Sequence, residues 1–286
     1  MPSEASGGRH ALVTGGSSGI GLATARGLLP HFETVGIVGR DQQRLEEAAA
    51  SLRASGGRVE TFQADFGSLV DVQRLAGEVR ERFSSLSVLV NNAGVWHRGR
   101  HLSKDGYEET FAVNHLAHFL LTNELEGLLV DGAPSRVVNV SSSLHARPKS
   151  VNWDDVMFEE GFNGLTAYGH SKLANVLFSN ELARRWASRG ITSNALNPGN
   201  VRSRITRHNA LLNALHQSPV ARLVIMTETE GARASVRAAL APELEGVSGL
   251  YFDKLKEKPP SKPARDPEAA RRLWEISERL IESALR

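Results

Sequence analysis

A chain of 286 residues, 41% hydrophobic and 23% charged, is long enough to bury a full core, which excludes a disordered segment and a disulfide-stapled mini-domain. With no cysteine, disulfides, thiolate zinc sites, iron–sulfur clusters and cysteine nucleophiles are excluded, and the composition fits a reducing, cytoplasmic setting. The 34 basic and 32 acidic residues nearly balance and form no basic run, so no nucleic-acid partner is expected; no stretch reaches the roughly 18 apolar residues of a membrane span.

Met1–Gly8 is polar and Gly/Ser-rich and reads as a loose tail. Seven short apolar runs follow, predicted as strands: Ala11–Val13, Val35–Val38, Val59–Phe62, Val88–Val90, Val137–Val140, Ile191–Leu196 and Leu250–Phe252. Between them, Gly19–Leu29, Gln42–Ala54, Leu69–Phe83, Tyr107–Leu129 and Thr166–Arg189 carry helical patterning. Strands alternating with helices predict an α/β fold, a doubly wound, parallel, seven-stranded sheet with helices on both faces, in a single domain spanning 1–286. Two stretches break the alternation. Asn200–Thr227 mixes apolar and basic residues and is expected to form a substrate-binding lid, its stripe serving equally as a lipid-touching or oligomer surface. Residues 254–286 read as an exposed Pro/Lys-rich arm followed by a helix, with Asp266 as N-cap, Pro267 in the first turn and Leu273, Ile276, Leu280 and Ile281 on one face.

The first strand runs into Thr14-Gly15-Gly16-Ser17-Ser18-Gly19-Ile20-Gly21, which opens the first helix. Glycines there let the backbone approach a pyrophosphate, which then rests on the amides of the helix N-terminus. The ribose-reading position at the end of the second strand is Gly39-Arg40-Asp41. Gly39 has no carboxylate to bind a ribose diol, Arg40 offers a fork for a 2′-phosphate, and Asp41 is either the missing acid or a helix N-cap; NADP(H) is therefore favoured over NAD(H). Asp65-Phe66 after the third strand suits an adenine amino group or a helix cap, and Asn92-Ala93-Gly94 after the fourth permits close passage of a cofactor.

Tyr168 and Lys172, four apart on a helix, project from one face. An ammonium about 5 Å from the phenol, at an effective dielectric near 20, would favour the phenolate by roughly 3 kcal/mol. Ser141-Ser142-Ser143 ends the preceding strand, where ligands of open α/β sheets bind.

Taken in order, the Thr14–Gly21 turn, Asp65, Asn91–Gly94, Asn114, the serines, Tyr168/Lys172 and Asn197-Pro198-Gly199 resemble the short-chain dehydrogenase/reductase family over nearly the whole chain. Val113–Thr122, Arg136–Ser142, Tyr168–Asn175, Ser248–Phe252 and Arg271-Leu273-Trp274 resemble its retinol dehydrogenase-like branch. The resemblance implies a Rossmann-type fold with Gly15, Ser17, Ser18, Gly19, Ile20 and Gly21 on the cofactor. It implies Tyr168 as general acid/base, Ser142 on the reacting oxygen, Lys172 on the nicotinamide ribose and Asn114 anchoring a water in a proton relay. Beyond Pro198 and Gly199, the backbone near Val201 and the Ser203 hydroxyl would hold the carboxamide. Ser142 and Tyr168 stand further apart than in compact members, across the Leu144–Thr166 insertion that this branch shares, and Asn200 replaces an expected threonine. The family's membrane-bound relatives carry an N-terminal anchor that has no counterpart here, so retinol itself is not implied as substrate.

Trp96, His97 and His145 lie just beyond strand ends and either face substrate or pack; His115 and His118, i and i+3 on a helix, are read as hydrogen-bonding, and no metal site is expected. The expected function is carbonyl–hydroxyl interconversion on a bulky lipophilic small molecule. The alternatives are an activated C=C substrate, or a cofactor-binding regulator without turnover. A homodimer or homotetramer is the expected assembly.

Overall fold

The computed structural model describes residues 9–201 and 226–286. Ser203 and nearly all of the expected lid lie outside the described residues. The strands are β1 (His10–Thr14), β2 (Thr34–Gly39), β3 (Val59–Gln63), β4 (Val88–Asn91), β5 (Ser135–Val140), β6 (Ile191–Asn197), β7 (Tyr251–Asp253) and β8 (Lys256–Glu257). They form one sheet in the order β3-β2-β1-β4-β5-β6-β7-β8, parallel from β3 to β7. β1, β2 and β6 are buried along their whole length and β5 nearly so, because helices cover both faces, whereas the edge strand β3 is buried only at Val59 and Phe62.

The sheet has eight strands, one more than the sequence predicts. β8 is a two-residue antiparallel addition, Phe252 opposite Glu257 and Asp253 opposite Lys256, after a turn with Lys254 at φ 58°. Both its residues are exposed and charged, so it has no hydrophobic pattern to read.

The helices are α1 (Gly19–Leu28), α2 (Gln42–Arg53), α3 (Leu69–Arg82), α4 (Glu109–Phe111), α5 (Ala117–Glu124), α6 (Glu126–Asp131), α7 (Gly164–Arg185), α8 (Glu228–Leu240) and α9 (Pro267–Ala284). Their starts follow capping chemistry: Asp41, Ser68 and Asn163 accept from the backbone N–H three residues on, Thr227 and Glu230 form a capping box, and Asp266 caps α9. One face of the sheet is covered by α1, α2 and α8 through Leu28, Leu45, Leu52 and Ala234. The other is covered by α3, α5, α7 and α9 through Leu75, Leu121, Leu177 and Leu273. The segment predicted as one helix over Tyr107–Leu129 is instead α4, a π-helical turn at Ala112–Leu116, α5 and α6. α9 docks on α7 with Trp274 against Phe178 and Phe119.

The strand order reverses between β1 and β4. In an open α/β sheet that reversal opens a crevice beyond the carboxyl ends of the strands. The site occupies it.

Candidate active site

A cleft of about 460 Å³ runs along the carboxyl edge of the sheet, from Arg40, Asp41 and Arg44 past Gly15–Gly21 and Asn92–Gly94 to Ser142, Tyr168, Trp96, His97 and Glu109. Its first wall is the β1–α1 turn. Gly15 and Gly19 sit at φ 67° and 58°, and a methyl on Gly21 would lie 2.2 Å from the Gly15 carbonyl oxygen, so only glycine closes this turn. Thr14 ties the turn to the next strand end: its Oγ1 accepts from the amides of Asn92 and Ala93 at 2.8 and 2.9 Å, and Asn92 Nδ2 donates to its carbonyl at 2.7 Å. The N-cap of α1, Ser18, makes no side-chain cap, and the first turn holds no acid. Its amides and positive dipole are thus left for an anion, which is the fit a dinucleotide pyrophosphate needs.

At the cleft's outer end Arg40 is exposed and its carbonyl is held by Gln63 Nε2 at 3.2 Å. Asp41 is engaged as the α2 cap, accepting from Arg44 N at 3.0 Å. Arg44, not singled out in the sequence, joins Arg40 in the lining. Asp65 does not cap α3, which Ser68 does; its carboxylate accepts from Gly67 N at 3.0 Å and pairs with Lys104 at 3.0 Å. Burial pushes that carboxyl up, but the Gly67 amide and Lys104 outweigh it and hold it below the usual range. Phe66, buried beside it, lies edge-on to His118 and lines the cleft.

The inner end collects side chains from separate segments. Asn114, fully buried in the π-helical turn, accepts from Val95 N at 2.7 Å and donates to Val95 O and Ser171 Oγ at 3.0 and 2.9 Å. A methyl on Gly94 would lie 3.2 Å from Asn114 Oδ1 and 3.5 Å from Lys172 Nζ, so both groups converge behind this glycine. Lys172 donates to Val140 O at 3.1 Å, and its ammonium is 5.6 Å from the Tyr168 ring centre. Ser142 hydrogen-bonds Tyr168. At the other wall, Gly199 takes φ 96°, its amide donates to Asn197 Oδ1 at 3.2 Å, and Pro198, Gly199 and Val201 line the cleft.

The electrostatics reverse one expectation. The phenol of Tyr168 is not depressed. Burial pushes it up to about 12, with the Ser142 hydrogen bond pulling the other way. The same burial takes Lys172 down to about 8. Desolvation acts on both groups, disfavouring the phenolate and the ammonium alike.

Of the two alternatives for His145, the structure takes packing. It is not part of the cleft lining: it is buried, with Nδ1 on Ser142 O at 2.7 Å and Nε2 accepting from Ser261 N at 3.0 Å, so it pins the serine turn to the C-terminal arm. Trp96 and His97 do line the cleft. The His115/His118 pair makes structural hydrogen bonds: His115 Nε2 with Ser277 Oγ at 2.8 Å, and His118 with Thr14 Oγ1 at 2.9 Å and Asn114 O at 3.0 Å.

The fold and this cleft define a Rossmann-type dinucleotide-binding protein. The model of the family "short chain dehydrogenase" matches residues 9–211, and the chain belongs to that family. Within it the chain is retinol dehydrogenase-like. It is 41% identical to retinol dehydrogenase 14 of Mus musculus over 96% of this chain and 86% of that one, and 38% identical to retinol dehydrogenase 13 of Homo sapiens over 96% and 85%. Among solved structures it is similar to a Mycobacterium paratuberculosis protein (TM-score 0.77, 31% identity, 99% of this chain and 96% of that one). It is also similar to the Pseudomonas aeruginosa RhlG/NADP active-site complex (TM-score 0.70, 30% identity, 88% and 97%). The chain is therefore an NAD(P)-binding oxidoreductase of carbonyl and hydroxyl groups. No helix among the described residues is long and apolar enough to cross a membrane.

Proposed function

We propose that this enzyme uses NADP(H) to interconvert a carbonyl and a hydroxyl on a bulky lipophilic substrate, with Tyr168 as the general acid/base. The observation that carries the reading is one cleft with two arginines and a glycine turn at one end and Ser142 with Tyr168 at the other, Lys172 and Asn114 standing behind Gly94. When bound, the nicotinamide supplies or accepts the hydride.

The protein's own groups then have defined tasks. Tyr168, held protonated by burial, is in the form that gives its proton to a nascent alkoxide. Ser142, already bonded to that hydroxyl, holds the reacting oxygen. Lys172 keeps its charge below about pH 8 and is placed for the nicotinamide ribose. Asn114, its side chain fixed by Val95 and Ser171, anchors the water that passes protons toward Lys172. Val201, in the cleft lining, is placed for the carboxamide contact.

NADP(H) is supported by Arg40 and Arg44 at the ribose end and by Asp41 being spent as a cap. A lipophilic substrate is supported by Val95, Trp96, Val113 and Val140 in the lining and by the names of the retinol dehydrogenase relatives. The buried Trp96 indole N–H, without a partner among the described residues, offers one polar anchor.

The test is a panel of ketones, aldehydes and enones assayed with NADPH and NADH, repeated on Tyr168→Phe. Carbonyl reduction with NADPH is expected, with kcat lowered about 10²- to 10⁴-fold in the variant and its NADPH affinity kept within a few-fold. A variant that turns over normally, or activity on enones alone, rejects the reading.

A further inference from the structure

At the cleft that also holds Tyr168, three potential ligand side chains meet outside the machinery described so far, two of them in its lining. His97, His101 and Glu109 each offer a ligand atom, and the three atoms lie within 4.8 Å of one another. His97 Nε2 is 3.0 Å from the Glu109 carboxylate, and the two imidazole rings are 4.6 Å apart, tilted by 39°. Ligands at about 2.1 Å from a tetrahedral zinc ion are about 3.4 Å from one another, so the observed spread closes on an ion by small side-chain rotations.

The backbone under these side chains is already fixed. The turn between them is pinched by a bridge from Leu102 to Glu108 and by Glu109 N donating to His101 O at 2.9 Å, which sets residues 101 and 109 opposite each other. His97 is pressed on the first residue of α7: a methyl on Gly164 would lie 2.1 Å from its carbonyl oxygen. Arg100 Nε adds a bond to Met157 O at 3.3 Å. Little backbone entropy remains to be lost when an ion binds. The neighbouring Glu108 is committed to capping, accepting from Thr110 N and Phe111 N, which leaves Glu109 as the carboxylate of the set.

We propose that His97, His101 and Glu109 bind a zinc-class divalent ion. Two imidazoles and one carboxylate suit zinc and its borderline neighbours rather than magnesium or calcium, which take oxygen ligands. Three protein ligands leave a fourth position, for water or for a polar group of a cleft ligand, and because His97 and Glu109 line the cleft the ion belongs to its substrate wall. The proposal stands independently of which carbonyl compound the enzyme reduces.

The experiment uses the untagged full chain, stripped with a chelator, since an affinity tag would itself bind the ion. Calorimetry with Zn²⁺ is expected to give one equivalent bound, and Co²⁺ to give the strong visible absorption of a four-coordinate centre. Both signals should weaken about 100-fold or more in His101→Ala and in Glu109→Gln, because even partners behind a ligand are worth about 10- to 100-fold in metal affinity. His101 is exposed, so its removal leaves the fold intact, and the unfolding curve of each variant verifies this. The absence of a saturable Zn²⁺ isotherm, wild-type affinity in both variants, or equal binding of Mg²⁺ overturns the proposal.

Discussion

The two ends of the cleft are built on different principles. At the dinucleotide end eight consecutive residues do the work through their backbone. Gly15 and Gly19 take positive φ, Gly21 lets helix and turn touch, and the amides of α1 are left open. At the reacting end the residues are scattered: Asn114 comes from the π-helical turn, Ser142 from the turn after β5, and Tyr168 and Lys172 from α7, each held by groups that are themselves distant in sequence. A backbone site is specified by steric permission, whereas a side-chain site is specified by burial and mutual hydrogen bonding.

The largest effect should come from removing that steric permission. A methyl at position 21 would sit 2.2 Å from Gly15 O and 2.5 Å from Asn92 Nδ2, and neither can yield without opening the turn. Gly21→Ala is expected to lower stability by about 1–3 kcal/mol and to weaken NADPH by a comparable free energy, about 10- to 100-fold. Thermal unfolding and a fluorescence titration measure the two. Wild-type NADPH affinity in this variant would mean the turn is pliable and the contrast between the two ends false.

That contrast also explains what could be read from the sequence. The strands, the glycine turn and the placing of Tyr168 and Lys172 on one helix were legible because each is a local pattern: apolar run, glycine spacing, four-residue helical repeat. β8 was not, since Lys256 and Glu257 carry no apolar signal. Arg44 was missed because it stands past the ribose-reading position, in the first turn of α2, and Glu109 because a pinched turn brings it opposite His101. From its place after the serines His145 could face substrate or pack, a choice made only by the arm that arrives at Ser261 and takes its second nitrogen. The direction of the Tyr168 shift was not legible because it is set by burial, a property of the whole fold.

A middle-sized effect separates the two arginines from the glycine frame they extend. Arg40→Ala should weaken NADPH by about 10- to 100-fold, the worth of one charge-assisted hydrogen bond of about 1.5–3 kcal/mol, and leave NADH within a few-fold. Equal losses for both cofactors would assign Arg40 to the fold or the adenine instead of a 2′-phosphate. Arg44→Ala then reports whether the second cation shares that load.

The effect on stability at the reacting end has the opposite sign to that at Gly21. Burial takes the Lys172 ammonium from 10.5 down to about 8, so the unfolded chain holds this proton more tightly than the native one. Below about pH 8 both states are protonated and the native state bears the full penalty, about 3 kcal/mol. The penalty shrinks as pH rises from 8 toward 10.5 and is gone above that. Lys172→Met removes the charge and forfeits only the bond to Val140 O. It should therefore abolish turnover yet raise Tm at pH 7 by a few degrees, and the gain should fade as the melt is repeated up to pH 10. A lower Tm at pH 7 would show that the ammonium is compensated within the fold, and that the reacting end, like the glycine turn, is optimised for stability rather than held against it.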